Sequence, residues 1–291
     1  MKGIILAGGL GTRLYPSTKI LSKQLLPVYD KPMIYYSLSV LMLAEIKEIL
    51  IITSEDHYQL YKNLFGNGNQ MGLQIDYKIQ YKPNGLAEAF IIGEEFIGSD
   101  SVCLVLGDNL IYGKGLSEML INSKSKVIDC NDACIFGFEV KNPEDYGIAE
   151  LDNNGVVVSL EEKPKNPKSN CAVIGIYMFP NSVVEYSKTI NKSSRGELEI
   201  TSINQKYLIN GQLNLQIFGR GYSWFDTGSF SSILEASSLI QLIQERGGYK
   251  VSCIEEIAYN KGFISQQEFS NLIEGIVDCD YKSYLQKIIS K

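Results

Sequence analysis

Short, wholly apolar runs alternate with helix-period segments over the first hundred or so residues. Gly3 to Leu6, "EILIIT" at 48–53, "LQIDYKIQ" at 73–80 and "SVCLVLG" at 101–107 are predicted strands. Between them Ile34, Leu38 and Leu41 recur at helical spacing, and "DHYQLYKNLF" (56–65) and "NGLAEAFIIGEEF" (84–96) are predicted helices. Asp30 and Pro32 supply the expected cap and first turn of the helix at Ile34. Repeated β-α units with apolar strands imply a parallel sheet covered on both faces.

The second half is richer in strands: "ACIFGFEV" (133–140), "GIAELD" (147–152), "GVVVSLEEK" (155–163) and "CAVIGIYMF" (171–179), with little helix between them. Asn153-Asn154-Gly155 reads as a hairpin turn. A helix over "GELEITSINQKYLINGQ" (196–212) and a strand over "LNLQIF" (213–218) follow. Past Phe230 the pattern is helical, with Gly247-Gly248 as a break. The expected organisation is an α/β catalytic body over 1–247, with a helical segment over 248–291 packed on it.

Composition narrows the function classes. A net charge of -6 argues against a nucleic-acid partner held by a basic face. The six cysteines are scattered without a C-x-x-C pair, so neither a zinc site nor a redox motif is indicated. No apolar run is long enough to span a bilayer, and the opening strand leaves no room for a signal peptide; a cytoplasmic protein without a membrane partner is expected.

The candidate chemistry begins at "KGIILAGGLGTRL". Gly8, Gly9 and Gly11 follow a strand, where ligands of an open α/β sheet sit, and glycines let backbone N–H groups converge on an anion. The dinucleotide fingerprint fails, because its third position is Leu14; the P-loop fails, because no Gly-Lys-Ser/Thr follows. Taken alone, the loop fits a structural turn equally well. Arg13, and Lys23 in "SKQLLPVYDKP", offer two cations to a polyphosphate. Asp108, in "VCLVLGDN", leaves a strand at the ligand-binding end, where an Asx turn is the alternative. Asp226 lies in "WFDTGS", and two hard carboxylates with phosphate oxygens and waters suit Mg²⁺. The "DTGS" string also occurs in aspartic proteases, but that chemistry needs a second carboxylate motif in an all-β fold, and no second copy exists. In "GVVVSLEEKP", period two places Val156, Val158, Leu160 and Glu162 on one face. Glu162 then either frays past the strand end or faces a pocket, and Lys163 shares its direction only if the strand ends or bends before Pro164. His57, the sole histidine, falls early in a helix and reads as a surface residue, which disfavours a histidine general base.

"GIILAGGLGTRLYP" and "SKQLLPVYDKPMIYY" together resemble the signature of sugar nucleotidyltransferases, in particular their bacterial glucose-1-phosphate thymidylyltransferase branch. The likeness continues in order through "GLAEAF", "LVLGDN", "PEDYGIAE", "SLEEKPKNPKSN", "RGELEIT", "GYSWFDTGS" and "CIEEIAY". It implies a Rossmann-like mixed sheet flanked by helices, and a reaction of dTTP with α-D-glucose 1-phosphate that gives dTDP-glucose and pyrophosphate. It implies Mg²⁺ on Asp108 and Asp226, and a nucleotide contact by Gly8, Gly9, Gly11, Thr12, Arg13, Lys23, Gln24, Gln80, Pro83, Gly85, Leu86 and Asp108. For the sugar phosphate it implies Asp108, Asn109, Tyr146, Gly147, Glu162, Lys163, Val173, Tyr177, Arg195 and Trp224. The catalytic group would be Arg13, Lys23, Asp108, Lys163 and Asp226. Feedback by a dTDP-sugar at Tyr112, Gly113, Gly219, Arg220, Lys250, Val251, Ser252 and Glu256 would also follow, as would a homotetramer and a place in dTDP-rhamnose and cell-surface polysaccharide synthesis.

Two alternatives stand beside this reading. A Gln amide suits the imide edge of thymine and of uracil alike, and the thymine methyl is worth only ~1 kcal/mol when buried, so a UTP-using uridylyltransferase stays open. A silent nucleotide-sugar sensor is disfavoured because Arg13, Lys23, Asp108, Lys163 and Asp226 are all present.

Overall fold

The computed structural model describes residues 1–290. Strands β1 (Lys2–Ala7), β2 (Pro27–Val28) and β3 (Lys31–Pro32) precede helix α1 (Ile34–Leu43). Then come β4 (Glu48–Thr53), α2 (Tyr58–Phe65), β5 (Gln74–Ile79), the short helices α3 (Glu88–Ile92) and α4 (Glu94–Ile97), β6 (Val102–Leu106), β7 (Asn109–Gly113) and α5 (Leu116–Cys130). The second half holds β8 (Ala133–Glu139), β9 (Gly147–Leu151), β10 (Val157–Glu162), β11 (Cys171–Phe179), α6 (Val183–Thr189), α7 (Ile200–Ile209), β12 (Leu213–Phe218) and β13 (Tyr222–Asp226). Helices α8 (Phe230–Gly247), α9 (Ile254–Asn260), α10 (Gln266–Glu274) and α11 (Asp280–Ile289) complete the described chain.

A nine-stranded mixed sheet organises these elements. Strands β5, β4, β1 and β6 lie side by side and parallel. Strand β11 joins β6 antiparallel and carries β8 and β9 antiparallel; β10 pairs with β9, and β12 runs parallel to β8. The apolar runs of β1, β4 and β6 are buried on both faces because period two divides them between two cores. Ile5, Ile49, Ile51 and Val105 face a layer that holds Leu38 and Leu41 of α1 and Ile254, Phe269 and Leu285 of the last helices. Ile4, Leu6, Leu50, Ile52 and Leu104 face the opposite layer, with Phe90, Phe179 and Tyr207.

Several expectations need correction. Asp30 and Pro32 do not cap α1: Lys31–Pro32 is a strand paired with Pro27–Val28, and α1 starts behind Met33 without a side-chain cap. Asp30 instead binds Lys31, Lys250 and Gln244. The helix predicted over 84–96 begins only at Glu88 and is divided at Gly93. Helix α5 and helix α6 were not expected; both carry polar residues through their apolar stripes, which blurs the 3.6-residue period. The two-stranded sheet of β7 and β13 also escapes the sequence pattern, because its strands pair across more than a hundred residues. Finally, a register shift between Val157 and Ser159 changes the phase of β10: Val156 and Val158 are exposed, whereas Val157 and Leu160 are buried. Glu162 keeps phase with Leu160 only.

Candidate active site

Parallel pairing puts the ends of β1 and β6 together. Leu6 lies beside Leu106, and Gly107 N–H donates to Leu6 C=O at 2.9 Å. The glycine loop and Asp108 therefore emerge side by side. The β7–β13 register then places Asp226 opposite Asn109, and Thr227 donates to the Asp108 carbonyl from its backbone N–H (3.2 Å) and its hydroxyl (2.7 Å). Three segments far apart in sequence thus converge on one acidic pair.

Two adjoining cavities surround that pair. The first, about 200 Å³, is bounded by Gly9, Gln24, Gln80, Pro83, Gly85, Leu86 and Asp108, with Leu6, Leu106 and Glu197. The second, about 340 Å³, is lined by Arg13, Asp108, Asn109, Tyr146, Gly147, Glu162, Lys163, Val173, Tyr177, Arg195, Trp224 and Asp226 among others. Leu86, Leu106, Asp108 and Glu197 border both, so Asp108 stands at the junction.

Of the other loop residues, Gly8 lies beneath the Gln80 amide, and Gly11 takes a left-handed φ of 59° before the single 3₁₀ turn Thr12–Leu14. That turn sends Arg13 across the cleft: a Cβ added to Gly228 would meet its guanidinium at 2.7 Å, so the glycine of "DTGS" makes room for Arg13. Lys23 is buried, and its Nζ meets Asp108 Oδ2 at 2.5 Å. Burial raises the pKa of Asp226 first, and the charge on Asp108 raises it further, while Lys23, Arg13 and Lys163 pull it back. Asp226, its charge disfavoured by burial and by Asp108, forms with that neighbour a donor set that a hard divalent cation satisfies. Among the described residues no cluster of three or more His, Cys, Asp or Glu side chains could hold a metal, so further ligands would come from phosphate oxygens and water.

The second cavity has walls of mutually bonded side chains. Glu162 accepts from Arg195 Nη2 at 3.1 Å and from the Thr201 hydroxyl. Arg195 also binds Glu199 through Nε (3.2 Å) and Nη2 (2.9 Å). Lys163 turns into the same cavity because its φ of 45° ends β10, and its N–H donates to Tyr146 C=O at 3.0 Å. Asn109 is a buried crosslink: its Oδ1 accepts from Trp224 Nε1 (2.7 Å) and Gly175 N–H (3.2 Å), and its Nδ2 donates to Asp108 Oδ1 (3.1 Å). Gly175 sits in the register shift of β11, and a Cβ there would meet Asn109 at 2.7 Å. Tyr146 packs edge-on against Trp224 at 5.2 Å. His57 lies in a 3₁₀ turn, outside both cavities, with Nδ1 2.8 Å from Ser54 Oγ.

The residues expected to form a second nucleotide site lie on another face. Tyr112 OH is 2.5 Å from Tyr249 OH, Lys250 pairs with Asp30 at 2.7 Å, and Ser39 donates to Ser252 at 2.9 Å. Glu256 accepts from Tyr284 OH at 2.6 Å, and Val251 is buried beside Gln244, which accepts its N–H. Gly219 and Arg220 are exposed in the turn before Tyr222, which pairs with Gly113.

Sequence reasoning assigned no role to Thr201, Glu199, Glu197 or Gly175. The first three stand in "RGELEIT", and a hydrogen bond such as that of Thr201 across to Glu162 leaves no mark in local spacing.

The nucleotidyl transferase family model matches residues 2–242. A glucose-1-phosphate thymidylyltransferase of Neisseria meningitidis is 50% identical over 291 residues, covering all of both chains. A Bacillus anthracis protein described as a glucose-1-phosphate thymidylyltransferase, in complex with a sucrose, superposes with a TM-score of 0.74 at 39% identity over 82% of this chain and 94% of that one. A UDP-glucose pyrophosphorylase complexed with UDP-glucose gives a TM-score of 0.73 at 25% identity, over 83% and 98%.

Proposed function

The chain belongs to the nucleotidyl transferase family, and from that premise we propose that it transfers the thymidylyl group of dTTP to α-D-glucose 1-phosphate, releasing pyrophosphate. The observation that carries this reading is the junction itself: Asp108, Asp226, Lys23 and Arg13 converge where two cavities meet.

The chemical obstacle is repulsion, because a dianionic sugar phosphate must approach a polyanion in line with the leaving pyrophosphate. In our reading the base and deoxyribose occupy the cavity of Gln80, Gly85 and Leu86, and the triphosphate runs over the glycine loop toward Arg13. Backbone N–H groups and the Arg13 fork hold the leaving oxygens. Lys23 fixes Asp108 and adds a positive charge at the α-phosphate. Lys163 and Arg195 take the phosphate of the sugar, and Glu162 accepts hydrogen bonds from its hydroxyls. Tyr146 and Trp224 wall the pocket and keep water from competing as nucleophile. Asp108 and Asp226 would hold Mg²⁺, which would supply Lewis-acid withdrawal of charge from the α-phosphoryl group. Most of the rate enhancement is then positioning and charge neutralisation.

We assign the Tyr112–Lys250 face to feedback by a dTDP-sugar, in a cytoplasmic homotetramer. UTP is the competing donor, since its base presents the same imide edge. Pyrophosphate release is expected only with dTTP, glucose 1-phosphate and Mg²⁺ together, with kcat/KM higher for dTTP than for UTP. Absence of release across a panel of nucleotides and hexose phosphates overturns the proposal, and a preference for UTP replaces it with the uridylyl reading.

A further inference from the structure

Gln80 is held by a chain of side chains whose donor and acceptor roles are forced. Its Nε2 donates to Glu88 Oε2 at 2.7 Å. The other oxygen of that carboxylate accepts from Asn84 Nδ2 at 2.7 Å, and Asn84 Oδ1 accepts from Lys192 Nζ at 3.3 Å. An ammonium can only donate, and an ionised carboxylate can only accept. Turning the Gln80 amide over would set its oxygen against a Glu88 oxygen, acceptor to acceptor. Gln80 Oε1 is therefore kept on the opposite side, toward Gly8, where an added Cβ would lie 2.7 Å from it. Among the described residues that oxygen accepts no hydrogen bond, although Gln80 is buried and lines the first cavity. An acceptor fixed in direction, left without a protein partner and opening on the cavity, is available to a donor on the ligand.

We infer that Glu88 fixes the direction of the Gln80 amide and thereby selects imide bases, thymine or uracil, over cytosine. The inference rests on the reading that seats the base beside Gln80. An imide presents a ring N–H between two carbonyls, and Gln80 Oε1 accepts that hydrogen. Cytosine presents a bare ring nitrogen at the same place, so the fixed oxygen meets a lone pair. Glu88 acts through Gln80, so it is a positioning residue. A glutamine at this position keeps its oxygen toward Asn84 Nδ2 and turns its nitrogen toward Gln80, so the pinned direction is reversed while size and packing stay the same.

The test compares kcat/KM for dTTP and dCTP, with glucose 1-phosphate, in the full chain and in three variants. Glu88→Gln is expected to lower the dTTP:dCTP ratio about tenfold. The KM for dTTP should rise and that for dCTP fall, with kcat at saturating dTTP unchanged. Glu88→Ala, which removes the acceptor altogether, should move the ratio in the same direction. A general loosening of the site would raise both KM values together, and that outcome, or an unchanged ratio, overturns the inference. Gln80→Leu separates the two layers of the argument. If it abolishes base selectivity while the Glu88 variants do not, only the role of Glu88 fails. If it too leaves the ratio unchanged, the base does not sit beside Gln80 and the underlying reading fails.

Discussion

At the glycine-lined end of the cleft, Gly9 and Gly85 leave the wall to bare backbone, whereas at the far end Glu162, Arg195, Glu199 and Thr201 bond to one another. The first end has fixed form before any ligand arrives: its loops leave parallel strands locked in register, and Gly85 is clipped to Leu198, which donates to Asn84 C=O at 2.6 Å. The second end is a set of charges that satisfy each other, for which a substrate would compete under the proposed reading. Burial pulls down the proton affinity of Arg195, but Glu199, Glu162 and Glu197 outweigh it and hold its pKa above the usual range. Damage at the first end should therefore show in the backbone, and damage at the second in a hydrogen-bond balance.

The largest effect is expected where the two ends meet. Asp226→Ala should cut pyrophosphate release by about a thousandfold while dTTP affinity, measured by calorimetry, changes only a few-fold. Equal loss of binding and turnover would mean that the junction is not separate from the nucleotide wall. At the glycine end, Gly85→Ala combines a φ of 114° with a Cβ placed 2.4 Å from Leu198 O. We expect a loss of about 2 kcal/mol or more in urea unfolding and a raised KM for dTTP. Gly9→Ala is the counterpart: nothing lies within 4 Å of its added Cβ, so stability should hold within ~0.5 kcal/mol while the KM for dTTP alone rises.

At the charged end, Thr201→Val removes one donor to Glu162. The KM for glucose 1-phosphate should shift by roughly fivefold, about 1 kcal/mol, with the KM for dTTP unchanged. The smallest effect serves as a control away from both ends. Glu255 is buried, and burial raises its pKa despite the hydrogen bond from Tyr281. The folded protein thus holds that proton more tightly than the unfolded chain, and ionised Glu255 costs stability at neutral pH. Glu255→Gln should raise the melting temperature at pH 7, the gain should fade as pH falls toward the ordinary glutamate range of 4.5, and both KM values should stay put.

The parallel half was legible in the sequence because buried strands such as "EILIIT" need no partner to be recognised. The residues of the candidate site were legible because they cluster in strings at strand ends. What stayed hidden was lateral. The β10 register shift moved Val156 and Val158 outward, Asp30 traded a helix cap for Lys250, and Asn109 was committed to Trp224 and Gly175. Each depends on a neighbour brought close by tertiary packing, and local propensity carries no record of that neighbour.

The pairing of Leu6 with Leu106 has a bearing on biosynthesis. A nascent chain that has emerged through β5 already carries the glycine loop, yet its central strand still shows one unpaired edge. Only when β6 slots in, about a hundred residues after β1, does that edge vanish and the acidic partner arrive. Until then only a half-sheet with one bare strand edge has been made, so this interval is the one in which a holding chaperone would matter most.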